Sequence, residues 1–99
     1  MTDVRLSAGA VKDLDDMIAT LSLPFDTRER VRRKLEPLER FPRLGKELGG
    51  RWHPLRLAYG PWPWMFILYS YEEAEDLVLV VGFQDGRSST AARWAQDSA

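Results

Sequence analysis

Two apolar runs of strand length, Trp64 to Tyr71 and Leu77 to Phe83, lie either side of a short acidic stretch from Glu72 to Asp76. Each run is apolar at odd and even positions alike, so both of its faces have to be covered. A linker this short turns the second run back against the first as an antiparallel pair. The pair therefore sits at the centre of a sheet, and the rest of the chain has to supply its flanks and its cover. Leu55, Leu57 and Tyr59 alternate with Arg56 and Ala58, which predicts a strand before the Gly60-Pro61 turn. Pro54 lacks an N–H and puts the start of that strand at an edge. Val4 and Leu6 alternate with Asp3 and Arg5 and predict a short first strand.

The cover comes from two helical stripes. Val11, Leu14, Ile18 and Leu21 recur on one face of a helix that Ser7 caps and Pro24 ends. Val31, Leu35, Leu38 and Phe41 continue a second stripe, opened by a capping-box pattern at Asp26 and Glu29 and kinked or ended near Pro37. Pro42, Gly45, Gly49 and Gly50 mark a loop. Ser88, Ser89 or Thr90 caps a short terminal helix through Ala95. The expected fold is α+β, in the order β-α-α-β-β-β, with a helical hairpin on a small antiparallel meander. At 99 residues the chain reads as one domain, 1–99.

Composition removes several classes of chemistry. With no cysteine there are no disulfides and no thiolate nucleophiles, and one histidine cannot build a histidine-rich metal site. No cofactor or metal is expected. No signal peptide or run of bilayer length is found, so the expected location is the cytoplasm, with no membrane partner. Glycine loops of the phosphate-cradling kind and the common hydrolase motifs are absent. The acidic group Glu72, Glu73, Glu75 and Asp76 reads as a solvated turn.

The remaining chemistry is cationic and aromatic. Residues 28–56 carry a net charge of +6, against −3 before them and −4 after. Such a basic middle third suits a polyanion or an acidic partner. Arg51, His53 and Arg56 flank the strand after the loop, and Arg87 follows the last strand. Trp52, Tyr59, Trp62 and Trp64 lie among them. Arginine makes forked contacts to phosphate, and aromatic rings stack on unpaired bases. This reading requires the last three strands to gather Arg51, Arg56 and Arg87 on one surface.

The order of elements resembles the RelE/ParE superfamily of type II toxins, including its HigB-like branch. The resemblance rests on Val4-Arg5-Leu6, the segment Phe41 to Gly50, Trp52, Leu55-Arg56-Leu57, Ile67-Leu68-Tyr69 and Val80-Val81-Gly82-Phe83. It implies a toxin neutralised by a cognate antitoxin, and a metal-independent endoribonuclease acting on mRNA, usually on the ribosome. By position, Arg56, Arg87 and His53 become the expected catalytic residues. Arg51, Lys46 and Trp62 become the expected substrate-binding residues. Two departures keep alternatives open. Pro61 to Met65 carries no cation where many members have an arginine, and the C-terminal tyrosine of RelE-like enzymes has no match. These leave a ParE-like toxin that binds DNA gyrase, or an interaction module without catalysis, as the other readings.

Overall fold

A computed structural model describes residues 1–87. The sheet it contains is built around the two apolar runs. Strand β4 (Met65–Glu72) and strand β5 (Leu77–Asp85) pair antiparallel, with β3 (Arg56–Tyr59) on the free side of β4. Strand β1 (Asp3–Leu6) lies beside β5, and a two-residue strand β2 (Lys46–Glu47) lies beside β3, giving the order β1-β5-β4-β3-β2. The three-stranded antiparallel meander is as expected, and the first strand, whose direction the sequence leaves open, joins it in parallel: β1 runs alongside β5 with Val4 opposite Val78 and Leu6 opposite Val80. The long connection between β1 and β5 permits parallel pairing, which a short turn would forbid. The predicted terminal helix over 88–95 lies outside the described residues.

Helix α1 (Ala8–Leu21) starts where expected, with the Ser7 hydroxyl accepting from the Ala10 N–H at 3.0 Å. It ends at Ser22, which adopts the left-handed conformation. Helix α2 (Thr27–Leu35) departs from the expected capping box. The Asp26 carboxylate makes no cap bond and instead accepts from Arg30 Nε at 3.0 Å. A guanidinium one turn away offers the carboxylate a charged donor in place of a backbone N–H. Buried Thr27 ties the turn by donating its hydroxyl to the Pro24 carbonyl at 2.6 Å. As Pro37 predicts, the α-helix stops at Leu35 and gives way to a 3-10 turn over Glu36–Glu39.

Both sheet faces are packed, unequally. Ala10, Leu14, Val31, Leu35 and Leu38 from the helical layer meet Met65, Ile67, Tyr69, Val78, Val80 and Phe83 in the main core. On the opposite face a smaller core joins Leu48, Leu57 and Leu68, with Trp52, Leu55, Phe66 and Val81 around it. This second core sets the direction of the residues that bear chemistry. Leu57 turns away from the helices, so its neighbours Arg56 and Ala58 turn toward them.

Candidate functional site

Arg56 is paired across the strands with Tyr69, a fully buried residue of the main core, and facing residues share a sheet face. Its side chain is only 19% exposed. Nη1 donates to the carbonyls of Arg43 and Gly45, at 3.1 and 2.9 Å, while Nη2 lies 4.0 Å from Glu47 Oε2. Tyr69 completes the arrangement by accepting from the Gly45 N–H at 2.7 Å. Burial raises the Tyr69 phenol above its ordinary pKa, and the Gly45 bond and the Arg56 charge oppose that rise. Arg56 thus ties the 43–45 segment to the sheet, and few of its donors remain for a ligand.

Arg51 and His53 stand at the same end, in and just after a 3-10 turn over Gly50–Trp52. Both are exposed. Arg51 lies over the Trp52 ring, 5.3 Å from its centroid. His53 Nδ1 lies 3.7 Å from Glu47 Oε1, so one carboxylate stands between the imidazole and Arg56. Glu47 is the member of this cluster that sequence reasoning missed. It falls in a loop-like stretch, and only the pairing of β2 opposite Arg56 brings it there. Lys46 is the other residue of β2 and pairs with Leu57.

Arg87 belongs to the opposite end. It chelates Asp85 with Nε and Nη2, both at 2.9 Å, and donates its backbone N–H to the same carboxylate. Those bonds hold Asp85 below the usual carboxylate range, the side-chain bond contributing most. The guanidinium sits 4.5 Å from the centroid of Trp64. Trp64 stacks on Trp62 with centroids 5.7 Å apart, and Arg30 lies over Trp62 at 5.8 Å. The two indoles are therefore flanked by two arginines. Trp62 packs against the main core rather than standing free.

The register separates the two ends. Arg56 is level with Tyr69 on β4, whereas Asp85 is level with Met65. At about 3.3 Å per residue and about 4.8 Å per strand, Arg56 and Asp85 are roughly 16 Å apart along and across the sheet. Arg56 reaches toward Gly45 and Arg87 toward Trp64. The expectation of one surface gathering Arg51, Arg56 and Arg87 is corrected: Arg51 and Arg56 share an end with His53, and Arg87 does not. Among the described residues no three His, Cys, Asp or Glu side chains converge to hold a metal ion, and no helix is long and apolar enough to cross a membrane.

No protein-family model and no curated protein matches the sequence. Solved structures do match. The isolated RelE toxin of E. coli is 16% identical, with a TM-score of 0.64 over 97% of each chain. This chain has the RelE fold. A copper-bound mutant toxin from Helicobacter pylori is 18% identical, with a TM-score of 0.59 over 86% of this chain and 94% of that one. The archaeal RelE of the RelE–RelB complex from Pyrococcus horikoshii is 24% identical, with a TM-score of 0.52 over 89% of this chain and 100% of that one. On the RelE fold of this chain, the start of β4 carries stacked indoles capped by Arg87, and the start of β3 carries the Glu47–His53–Arg56 cluster.

Proposed function

We propose that this chain is the toxin of a type II toxin–antitoxin pair, neutralised by an antitoxin and acting when free by binding a protein target such as DNA gyrase. The toxin reading is supported by the RelE fold running over nearly the whole chain, and the antitoxin reading by the archaeal RelE–RelB neighbour. The binding mode is supported by one observation: Arg56 and Arg87 are too far apart, and too fully engaged, to hold one phosphate together. Exposed and half-exposed aromatic residues at the strand ends, Tyr59, Trp62 and Trp64, suit a protein contact. The test is induction without the partner gene. Growth arrest with disturbed DNA supercoiling and intact mRNA is the expected outcome. Normal supercoiling during arrest overturns the binding reading.

The Glu47–His53 pair favours a second reading, a metal-independent endoribonuclease acting on mRNA at the ribosome. In that reading His53 takes the proton from a 2′-hydroxyl, which attacks the adjacent phosphate as its 5′-oxygen leaves. Glu47 orients the imidazole, and Arg51, Lys46 and Arg56 stabilise the phosphate charge. Arg87 and Trp62 then contact RNA beyond the scissile bond. Cleavage of mRNA by purified protein with ribosomes, lost in His53→Ala, would select this reading. Intact mRNA at high protein concentration dismisses it.

A further inference from the structure

A groove of about 450 Å³ lies where the helical layer meets the β2–β3 side of the sheet. The end of α2 and the 3-10 turn after it supply Lys34 and Leu38, the segment into β2 supplies Leu44 and Lys46, and β3 supplies Ala58 and Tyr59. Sites for small organic molecules run from about 300 to 1,000 Å³ and are mostly apolar, with a few polar groups that fix orientation. This groove has that make-up. Leu38 is buried, and Leu44 and Tyr59, 64% and 54% exposed, leave apolar surface that folding does not cover. The groove is also preformed. Its Leu44–Lys46 side is tied to the sheet through Gly45, whose carbonyl accepts from Arg56 at 2.9 Å and whose N–H donates to the Tyr69 hydroxyl at 2.7 Å. A wall held in this way has little freedom left to lose when a ligand enters, so burial of the ligand's apolar surface converts into affinity.

The charge beside this apolar surface is uncompensated. No acidic side chain lines the groove, and neither Lys34 nor Lys46 has a carboxylate within ion-pair distance among the described residues. The apolar groove between α1 and α2 differs on this point. Its arginines are engaged inside the chain, Arg28 with Asp15 and Arg32 with Glu29. Two unengaged ammonium groups beside an apolar floor select a molecule with an anionic head and an apolar body. An ammonium is a compact point charge on a flexible stem, so a single small head group satisfies it without the planar match that arginine demands.

We propose that this groove is a binding site for a small amphiphilic anion of the class of a medium-chain carboxylate. The tail lies over Leu38, Leu44 and Tyr59, and the head group is drawn to the Lys34 and Lys46 ammonium groups. An RNA strand fits less well, because its repeated phosphates would lie over leucine. The inference is independent of the toxin reading, since ligand binding here can fail while growth arrest stands, and the reverse.

The test is a titration of the full-length ¹⁵N-labelled protein with hexanoate, octanoate and decanoate, followed by amide shifts. Decanoate is expected to shift Leu44, Lys46 and Tyr59, with affinity rising about two- to fourfold for each methylene added to the tail. Lys34→Glu/Lys46→Glu is expected to weaken decanoate by about tenfold or more. Both lysines are exposed, and an unchanged melting temperature checks that the variant folds. Equal shifts with decyltrimethylammonium, which has the same tail and the opposite charge, overturn the proposal. Equal shifts with acetate, which has the head group without the tail, do so as well. Binding to phosphatidylglycerol vesicles without binding to free decanoate would make the groove a membrane contact, and larger shifts with an oligouridylate would make it an RNA contact. Shifts of the same amides on concentrating the protein alone would put a second copy there. Each of these three results also overturns the proposal.

Discussion

Arg56 and Arg87 occupy comparable positions, each at a strand end, near a carboxylate, close to an aromatic ring and beside a glycine with no room for a side chain. They do opposite work. Arg56 is half-buried and bonded to two backbone carbonyls that belong to a different part of the chain. Arg87 is exposed, and its partners Asp85 and Trp64 are local or adjacent. The first is part of how the loop before β2 is attached to the sheet. The second is a surface group held in one orientation by a half-buried carboxylate two residues earlier in the chain. A cation at a site-like position is therefore a candidate for function only after its existing bonds are counted.

The glycines give the sharpest contrast. A Cβ at Gly45 would lie 2.7 Å from the Tyr69 ring and hydroxyl and 2.8 Å from the Leu57 carbonyl. Tyr69 is locked in the core, so neither neighbour can give. Gly45→Ala should cost about 3 kcal/mol and lower the melting temperature by roughly 10 °C or more. A Cβ at Gly86 would meet the Phe66 ring at 2.5 Å. That ring is half-exposed and can swing, which leaves one fixed neighbour, the Trp64 carbonyl at 2.9 Å, against the locked ring, hydroxyl and carbonyl that crowd Gly45, so Gly86→Ala should cost less. Equal melting temperatures for the two variants would break the contrast between the two ends.

Arg56→Ala comes next, at roughly 2 kcal/mol, because two carbonyls lose a charged donor in a half-buried place. Arg56→Lys should recover little, since an ammonium cannot span both carbonyls and Glu47 as the planar fork does. Thermal unfolding of the two variants checks this. A fully stable Arg56→Ala protein would return Arg56 to the list of groups free to bind phosphate.

Much of this architecture is legible in the chain. The double-sided apolar runs place β4 and β5 in the interior, and the stripes and Ser7 define α1. What fails to show is set by partners distant in sequence. Nothing local tells β1 to run parallel to β5, or a two-residue strand to form at Lys46. The direction of Arg56 is the most consequential miss. Alternation suggests that Leu57 faces the core and Arg56 faces water. The second core of Leu48, Leu57 and Leu68 reverses this and aims Arg56 into the helical side. A strand with two covered faces has no solvent side to read.

Tyr69 allows a test by pH. Its phenol titrates higher in the folded chain than the ordinary value of about 10, chiefly through burial. Between about pH 10 and that higher folded pKa, the unfolded chain loses the proton and the folded chain keeps it. Stability that is complete below pH 10 should therefore decline as pH rises through this window. Tyr69→Phe should remove this component of the decline while costing some stability at neutral pH, because the Gly45 N–H loses its acceptor. Chemical denaturation at neutral pH and above pH 10 separates the two effects. Parallel pH curves for the two proteins would mean that Tyr69 is not the group responsible.

The smallest effect on stability is expected at Arg87, and it is the informative one. Arg87→Ala removes an exposed ion pair and a cation over an indole, contacts that contribute little to folding in water. The melting temperature should stay where it is, while the fluorescence of Trp64 changes as its ring face opens to solvent. If induced cells are still arrested by this variant, Arg87 is a bystander and the effective surface lies at the β3 end. If arrest is lost from a protein that folds normally, the Arg87 end carries the function. The roughly 16 Å between the ends then becomes the span of a binding surface rather than an obstacle to a single catalytic centre.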